Sequence, residues 1–175
     1  MKTKTIAVVG SKSSGKTTTI EILTRELTKK GYKVAAVKHV SEPNFTIDTE
    51  GKDTWRFAQS GAKTIVSVAS KEVATIEKVN GKNLQLKSIL KKCEENDIVF
   101  LEGFRSLVGK KRSIPKIVTI KSEGEASEAV KYFKPILAFA GASSIEKLDL
   151  GIPYVNVLKS PEKIVELIED FLRKG

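Results

Sequence analysis

The chain opens with a short β-branched apolar run, Thr5-Ile-Ala-Val-Val9, that stops at Gly10. This is the pattern of a buried strand delivering the chain into a loop. From Lys16 to about Lys30, Ile20, Leu23 and Leu27 recur at spacings of three and four and Gly31 follows, which predicts an amphipathic helix closed by a glycine. Residues 33–38 supply the next strand, and a strand-helix-strand unit implies a parallel pair with a right-handed crossover, hence a wound α/β sheet. The polar stretch 39–52, broken by Pro43 and Gly51, is long for a connection in a compact domain, and loops of this length are often functional. Asp53 fits as the cap of a short helix over 54–60 that ends at Gly61. Residues 64–69 and 73–79 read as strands of an additional β-hairpin segment, with Asn80-Gly81 as a turn. Leu86, Ile89, Leu90 and Cys93 make the apolar face of a helix that ends before Asn96-Asp97. Buried strands follow at 98–101, 116–120 and 135–140, with a short one at 154–157. Ser160 as N-cap and Pro161 as first helical residue start a last helix, whose apolar face is Ile164, Val165, Leu167, Ile168, Phe171 and Leu172.

At 175 residues the chain fits one α/β domain spanning 1–175. Its 40% hydrophobic and 30% charged content is that of a globular protein rather than a disordered one. Apolar runs such as 98–101 and 136–140 are too short to cross a bilayer, so the expectation is a cytoplasmic protein with no membrane partner. A single cysteine, Cys93, excludes an internal disulfide and a cysteine-rich metal site. The formal charge of +10 raises the question of a nucleic-acid partner. The basic residues, however, are mostly lysines spread from Lys2 to Lys174 rather than clustered with arginines or aromatics, so we expect a solvated lysine-rich surface and no nucleic acid. A polyphosphate ligand would profit from the same field.

The candidate chemistry begins at Gly10, Ser11, Lys12, Ser13, Ser14, Gly15, Lys16 and Thr17, which match G-x-x-x-x-G-K-[ST] in full, with a strand before and a helix after. The glycines let backbone N–H groups and the positive helix end wrap phosphate oxygens. Lys16 would contact the outer phosphates, Thr17 would offer a hydroxyl to Mg²⁺, and Thr18 would touch the inner phosphate. The fold expected is therefore a wound, mostly parallel sheet flanked by helices, of the P-loop NTPase type. A second element is the strand 98–101 ending in Glu102-Gly103, where an acidic residue lies beside the metal in P-loop proteins. Asp97, at the start of that strand, belongs at the wrong end of the sheet. The third element is the polar loop with His39, Asp48, Gly51, Lys52, Asp53 and Arg56 at the carboxyl edge of the second strand, a candidate switch. Each of these also has an ordinary reading, as helix cap, solvated lysine or hydrogen-bonded imidazole.

Val8-Val9-Gly10 leading into Lys16-Thr17-Thr18, then Val37-Lys38-His39, Gly51-Lys52-Asp53-Thr54-Trp55-Arg56-Phe57 with Ser60-Gly61-Ala62, Leu101-Glu102-Gly103-Phe104-Arg105 and Ile114-Pro115-Lys116-Ile117 resemble the molybdopterin-guanine dinucleotide biosynthesis adapter family, MobB, over almost the whole chain. The resemblance implies a GTP-binding homodimer with weak GTPase activity at most. It would assist the guanylyltransferase that attaches GMP to molybdopterin without performing that transfer. It also implies phosphate and metal contacts at Gly15, Lys16 and Thr17, a place for Glu102 in the Mg²⁺ shell, and Asp48, Lys52 and Asp53 in a loop beside the γ-phosphate. Two departures stand out. His39 is the only histidine in the chain, whereas family members often carry a second one shortly after the first. No Asn-Lys-x-Asp or Thr-Lys-x-Asp occurs either, so a guanine site would fall at the strand end 139–143, with backbone groups and Ser143 as readers.

The competing reading is a small-molecule kinase using ATP on the same loop. A kinase adds an arginine-bearing lid, and Arg25, Arg56, Arg105, Arg112 and Arg173 form no paired lid segment. Lys110-Lys111-Arg112 is the one basic cluster, either a solvated turn or a seat for an acidic group.

Overall fold

A computed structural model describes residues 2–79, 85–143, 145 and 148–174. Asn80-Gly81, read from the sequence as a turn, lies outside them. The elements run β1 (Lys4–Gly10), α1 (Lys16–Lys29), β2 (Val34–Lys38), α2 (Asp53–Gln59), β3 (Thr64–Val68), β4 (Val73–Glu77), α3 (Leu86–Lys91), β5 (Ile98–Glu102), α4 (Arg105–Val108), β6 (Lys116–Thr119), α5 (Glu123–Tyr132), β7 (Ile136–Gly141), β8 (Tyr154–Asn156) and α6 (Pro161–Arg173). They form two compact units, Met1–His39 with Leu90–Gly175, and Val40–Ile89.

The larger unit is a six-stranded sheet in the order β2-β5-β1-β6-β7-β8, parallel at every pairing. Its central strands β1 and β5 are near-continuous apolar runs because both of their faces are covered, whereas the edge strand β2 stays partly exposed. On one face Ile6, Val8, Phe100 and Ile117 pack with Leu23 and Leu27 of α1 and with Ile164 and Ile168 of α6. Elsewhere Val118 and Ile120 line a cavity of about 230 Å³ together with Ala129 and Phe133. α1 ends as its glycine predicts: Gly31, at φ 90°, donates to Thr28 O (3.0 Å) while Tyr32 N reaches Leu27 O (3.1 Å), a Schellman closure that the left-handed residue makes possible. In the smaller unit β3 and β4 pair antiparallel, the hairpin expected. The wound, mostly parallel sheet with flanking helices is thus the fold. Two local readings change. α2 begins at Asp53 with Lys52 in the cap position, so Asp53 lies in the first turn instead of capping it, where its charge suits the helix dipole. α5 is a helix that the apolar periodicity did not announce.

Lys116 is fully buried in β6. Its Nζ donates to Lys111 O (2.8 Å) and Lys134 O (2.7 Å), and burial lowers its pKa from 10.5 to about 8. Between those values the unfolded chain binds a proton that the folded one has released, so stability rises with pH across that window; below it, the whole cost of burying the ammonium is present. The unfolding free energy measured in denaturant between pH 8 and 10 is expected to climb more steeply in the wild type than in Lys116→Met. Equal slopes would acquit Lys116.

Candidate functional site

Every strand of the larger sheet points its carboxyl end to one edge, and β1 sits where the strand order changes direction, with β5 and β2 on one side and β6, β7 and β8 on the other. Ligands of open α/β sheets bind at such a switch point. The loop after β1 is held from several sides. A Cβ on Gly10 would collide with the Oγ1 and carbonyl oxygen of Thr119 and lie 2.6 Å from Ser14 Oγ, so only glycine lets the chain turn there. Ser14 Oγ lies 2.6 Å from Thr119 Oγ1 and 2.8 Å from Ser11 O, to which it donates. Ser11 Oγ donates to Glu125 Oε1 (3.0 Å), and the other carboxylate oxygen of Glu125 accepts from Lys121 N (2.8 Å). Ser13 takes φ 58° and Phe104 φ 54°, the two non-glycine residues at positive φ among those described. Both follow strand ends at this edge, where backbone strain marks sites of function.

Lys16 Nζ donates to Ser11 O (2.6 Å) and Gly10 O (3.3 Å), so its ammonium rests on the loop itself. Burial is the main influence lowering its pKa; Glu102 pulls the pKa up, and the neighbouring charges of Lys38 and Lys121 push it down. Three lysines thus crowd one loop, an arrangement that an anion relieves. Thr17 Oγ1 donates to Glu102 Oε1 (3.0 Å), and Lys38 Nζ stands 3.2 Å from the same oxygen. A hydroxyl and a carboxylate oxygen at that spacing are the hard donors that Mg²⁺ accepts. His39 N donates to Glu102 O (3.0 Å), and the His39 ring tilts against Phe104 with centroids 5.2 Å apart.

The nine loop residues from Gly10 to Thr18 and Glu102 therefore share one edge, with Thr18 exposed in the first turn of α1. Asp97 sits at the other end of β5, accepting from Lys33 N (2.7 Å), as its position in the sequence suggested. Asp48, Lys52 and Asp53 belong to the smaller unit. There Asp48 Oδ1 accepts from Thr54 Oγ1 (2.8 Å) and Thr49 N (2.9 Å), while its Oδ2 is buried without a hydrogen-bond partner. Asp53 pairs with Arg56 at 3.9 Å. Lys110-Lys111-Arg112 leads toward the amino end of β6, the edge opposite the loop. At the strand end 139–143, Tyr154 OH donates to Ser143 O (2.6 Å) and Asn156 Nδ2 to Ala142 O (3.0 Å). Sequence reasoning missed Thr119, Lys121, Glu125 and Asn156. Ser122-Glu-Gly-Glu125 carries the spacing of a capping box, the one signal that announces the Glu125 brace.

A family model described as "Molybdopterin guanine dinucleotide synthesis protein B" matches residues 5–142. A putative molybdopterin-guanine dinucleotide biosynthesis adapter protein of Methanocaldococcus jannaschii is 36% identical over 69% of the chain. The adapter protein of Haemophilus influenzae is 32% identical over 67% of it, and the probable one of Bacillus subtilis 33% over 72%. The match spans 48% and 64% of the first two proteins' own lengths. Among solved structures, a molybdopterin-guanine biosynthesis protein B superposes with a TM-score of 0.73 at 28% identity, covering 97% of this chain and 99% of that one. Bacillus subtilis MobB superposes at 0.75 over 95% and 96%, and at 20% identity it speaks for the fold. With the family model covering the phosphate loop, the Glu102 strand and the sheet edge that joins them, the chain belongs to the molybdopterin guanine dinucleotide synthesis protein B family.

Proposed function

We propose that the chain is a GTP-binding adapter that assists the attachment of GMP to molybdopterin, acting on the guanylyltransferase rather than performing the transfer. The observation that carries this reading is the convergence of Lys16, Thr17 and Glu102 at the switch point of a parallel sheet, in a chain of this family. Lys16 exchanges its two backbone carbonyls for phosphate oxygens, and the loop amides ahead of α1 receive the rest of the phosphate charge. Thr17 and Glu102, joined by a 3.0 Å hydrogen bond, would hold Mg²⁺, which when bound would neutralise phosphate charge. Among the described residues no three His, Cys, Asp or Glu side chains gather into a metal cage, and Mg²⁺ at this pair would be of the kind that keeps water and phosphate ligands. Glu102 orients Thr17 and is itself steadied by Lys38. Any hydrolysis is weak and rests on positioning and electrostatics.

The guanine is read at the ends of β7 and β8. β7 is two strands from β1, about 10 Å at ordinary strand spacing, which suits the reach from phosphates to base. Asn156 ties the two strand-end loops, accepting from Leu158 N and Lys159 N (both 3.1 Å). The family resemblance makes Asp48, Lys52 and Asp53 of the smaller unit the candidates for answering the γ-phosphate, and the working state is a homodimer. No helix among the described residues is long and apolar enough to cross a membrane.

Isothermal titration of the protein with GTPγS and ATPγS, with and without Mg²⁺, tests the reading. Tighter, Mg²⁺-dependent binding of GTPγS is expected. A preference for ATPγS would overturn the adapter assignment in favour of an ATP-dependent kinase.

A further inference from the structure

Lys38 and Glu102 are register partners on the adjacent parallel strands β2 and β5, both at the carboxyl ends. Glu102 is largely enclosed, its side chain 14% exposed, while Lys38 is 59% exposed. The two are therefore unequal: the carboxylate is fixed by its surroundings, and the ammonium is the end of a flexible stem free to swing. The Lys38 ammonium also stands on Oε1, the very oxygen that takes the Thr17 hydroxyl. A divalent cation held by Thr17 and Glu102 competes with Lys38 for that atom, because two positive charges on one carboxylate oxygen repel.

We propose that Lys38 is an internal counter-ion, a positioning residue that neutralises Glu102 while no metal is present and yields that oxygen to Mg²⁺ when the metal arrives with nucleotide. The proposal rests on the P-loop reading given above. Its physical content concerns the metal-free site. A bare Glu102 carboxylate beside Lys16 and Thr17 repels incoming phosphates, and Lys38 cancels that repulsion. Metal then replaces one counter-ion by another, so the site never holds an unpaired carboxylate. Once displaced, the 59% exposed ammonium returns to solvent, so its contribution belongs to the metal-free site.

The test compares wild type, Lys38→Met and Lys38→Arg by calorimetric titration with GTPγS, in EDTA and in Mg²⁺. Lys38→Met keeps the aliphatic stem and removes the charge. It is expected to weaken binding in EDTA on the order of fivefold, the scale of a partly exposed ion pair, and to change binding in Mg²⁺ much less, so the strengthening by Mg²⁺ grows. Lys38→Arg is expected to restore the wild-type ratio. Equal weakening in both conditions would overturn the proposal and make Lys38 a plain phosphate ligand. An unchanged ratio with unchanged affinities would overturn it as well. Failure of wild type to bind GTPγS in either condition would remove the P-loop reading itself, a result distinct from both.

Discussion

Lys16→Ala is expected to lower the affinity for GTPγS by about 10²- to 10⁴-fold while leaving the melting temperature of the empty protein nearly unchanged. The magnitude follows from two hydrogen bonds between an ammonium and phosphate oxygens, each worth about 1.5–3 kcal/mol when a charged partner is involved. The small effect on stability follows from what Lys16 touches in the absence of ligand. Its partners, Ser11 O and Gly10 O, lie at an edge open to water, and burial already disfavours its charged form. Losing it removes two hydrogen bonds and, with them, the cost of desolvating the ammonium. Calorimetry together with a thermal melt of the same sample checks both halves. Retained affinity would mean that the loop amides alone hold the phosphates, and a large drop in melting temperature would make Lys16 a structural residue.

Phe100→Ala is expected to cost about 3–5 kcal/mol of stability, a fall of roughly 6–20 °C in melting temperature for a chain of this size. Phe100 is fully buried in β5, between the paired strands β2 and β1, and it belongs to the cluster that includes Leu23 of α1 and Ile168 of α6. Truncation leaves a cavity among sheet and helix residues that are themselves close-packed, so collapse offsets little of the loss. Val66→Ala, at a strand position 55% exposed, is the control and is expected to stay within about 0.5 kcal/mol. Denaturant unfolding of both variants reads the difference. A Phe100→Ala cost no larger than that of Val66→Ala would show that β5 is not the centre of the fold.

The centre of the sheet was legible because β1 and β5 are buried on both faces. Residues 6–9 and 98–101 are unbroken apolar runs, and no surface strand requires that. α1 and α6 were legible because large side chains mark their inner stripes: Leu23 and Leu27 in one, Ile164, Val165, Ile168 and Leu172 in the other. α5 escaped because its buried residues are only Ala126 and Ala129. Two alanines amid glutamates, Gly124 and Ser127 give almost no periodic signal, yet small side chains are what permit close approach to a sheet. The site divides in the same way. Gly10 to Thr17 is contiguous and reads directly, and Glu102 reads from its place at a strand end. Lys38 on Glu102 depends on β2 lying beside β5, and Thr119 on Ser14 depends on β6 lying beside β1; no local pattern encodes either adjacency. The placement of Asp53 failed by one residue, because Lys52 takes the cap with extended backbone and no side-chain bond.

The bracing of the loop 10–16 by Thr119 and Glu125 has a thermodynamic corollary. A glycine- and serine-rich loop left to itself samples many shapes, and a ligand would have to halt that motion as it bound. Here Ser11 and Ser14 are fastened to β6 and to the first turn of α5, so the disorder is lost when the chain folds, before any nucleotide arrives. For the nucleotide proposed above, association would then meet a small entropic opposition, as expected of a receptor already shaped for its guest.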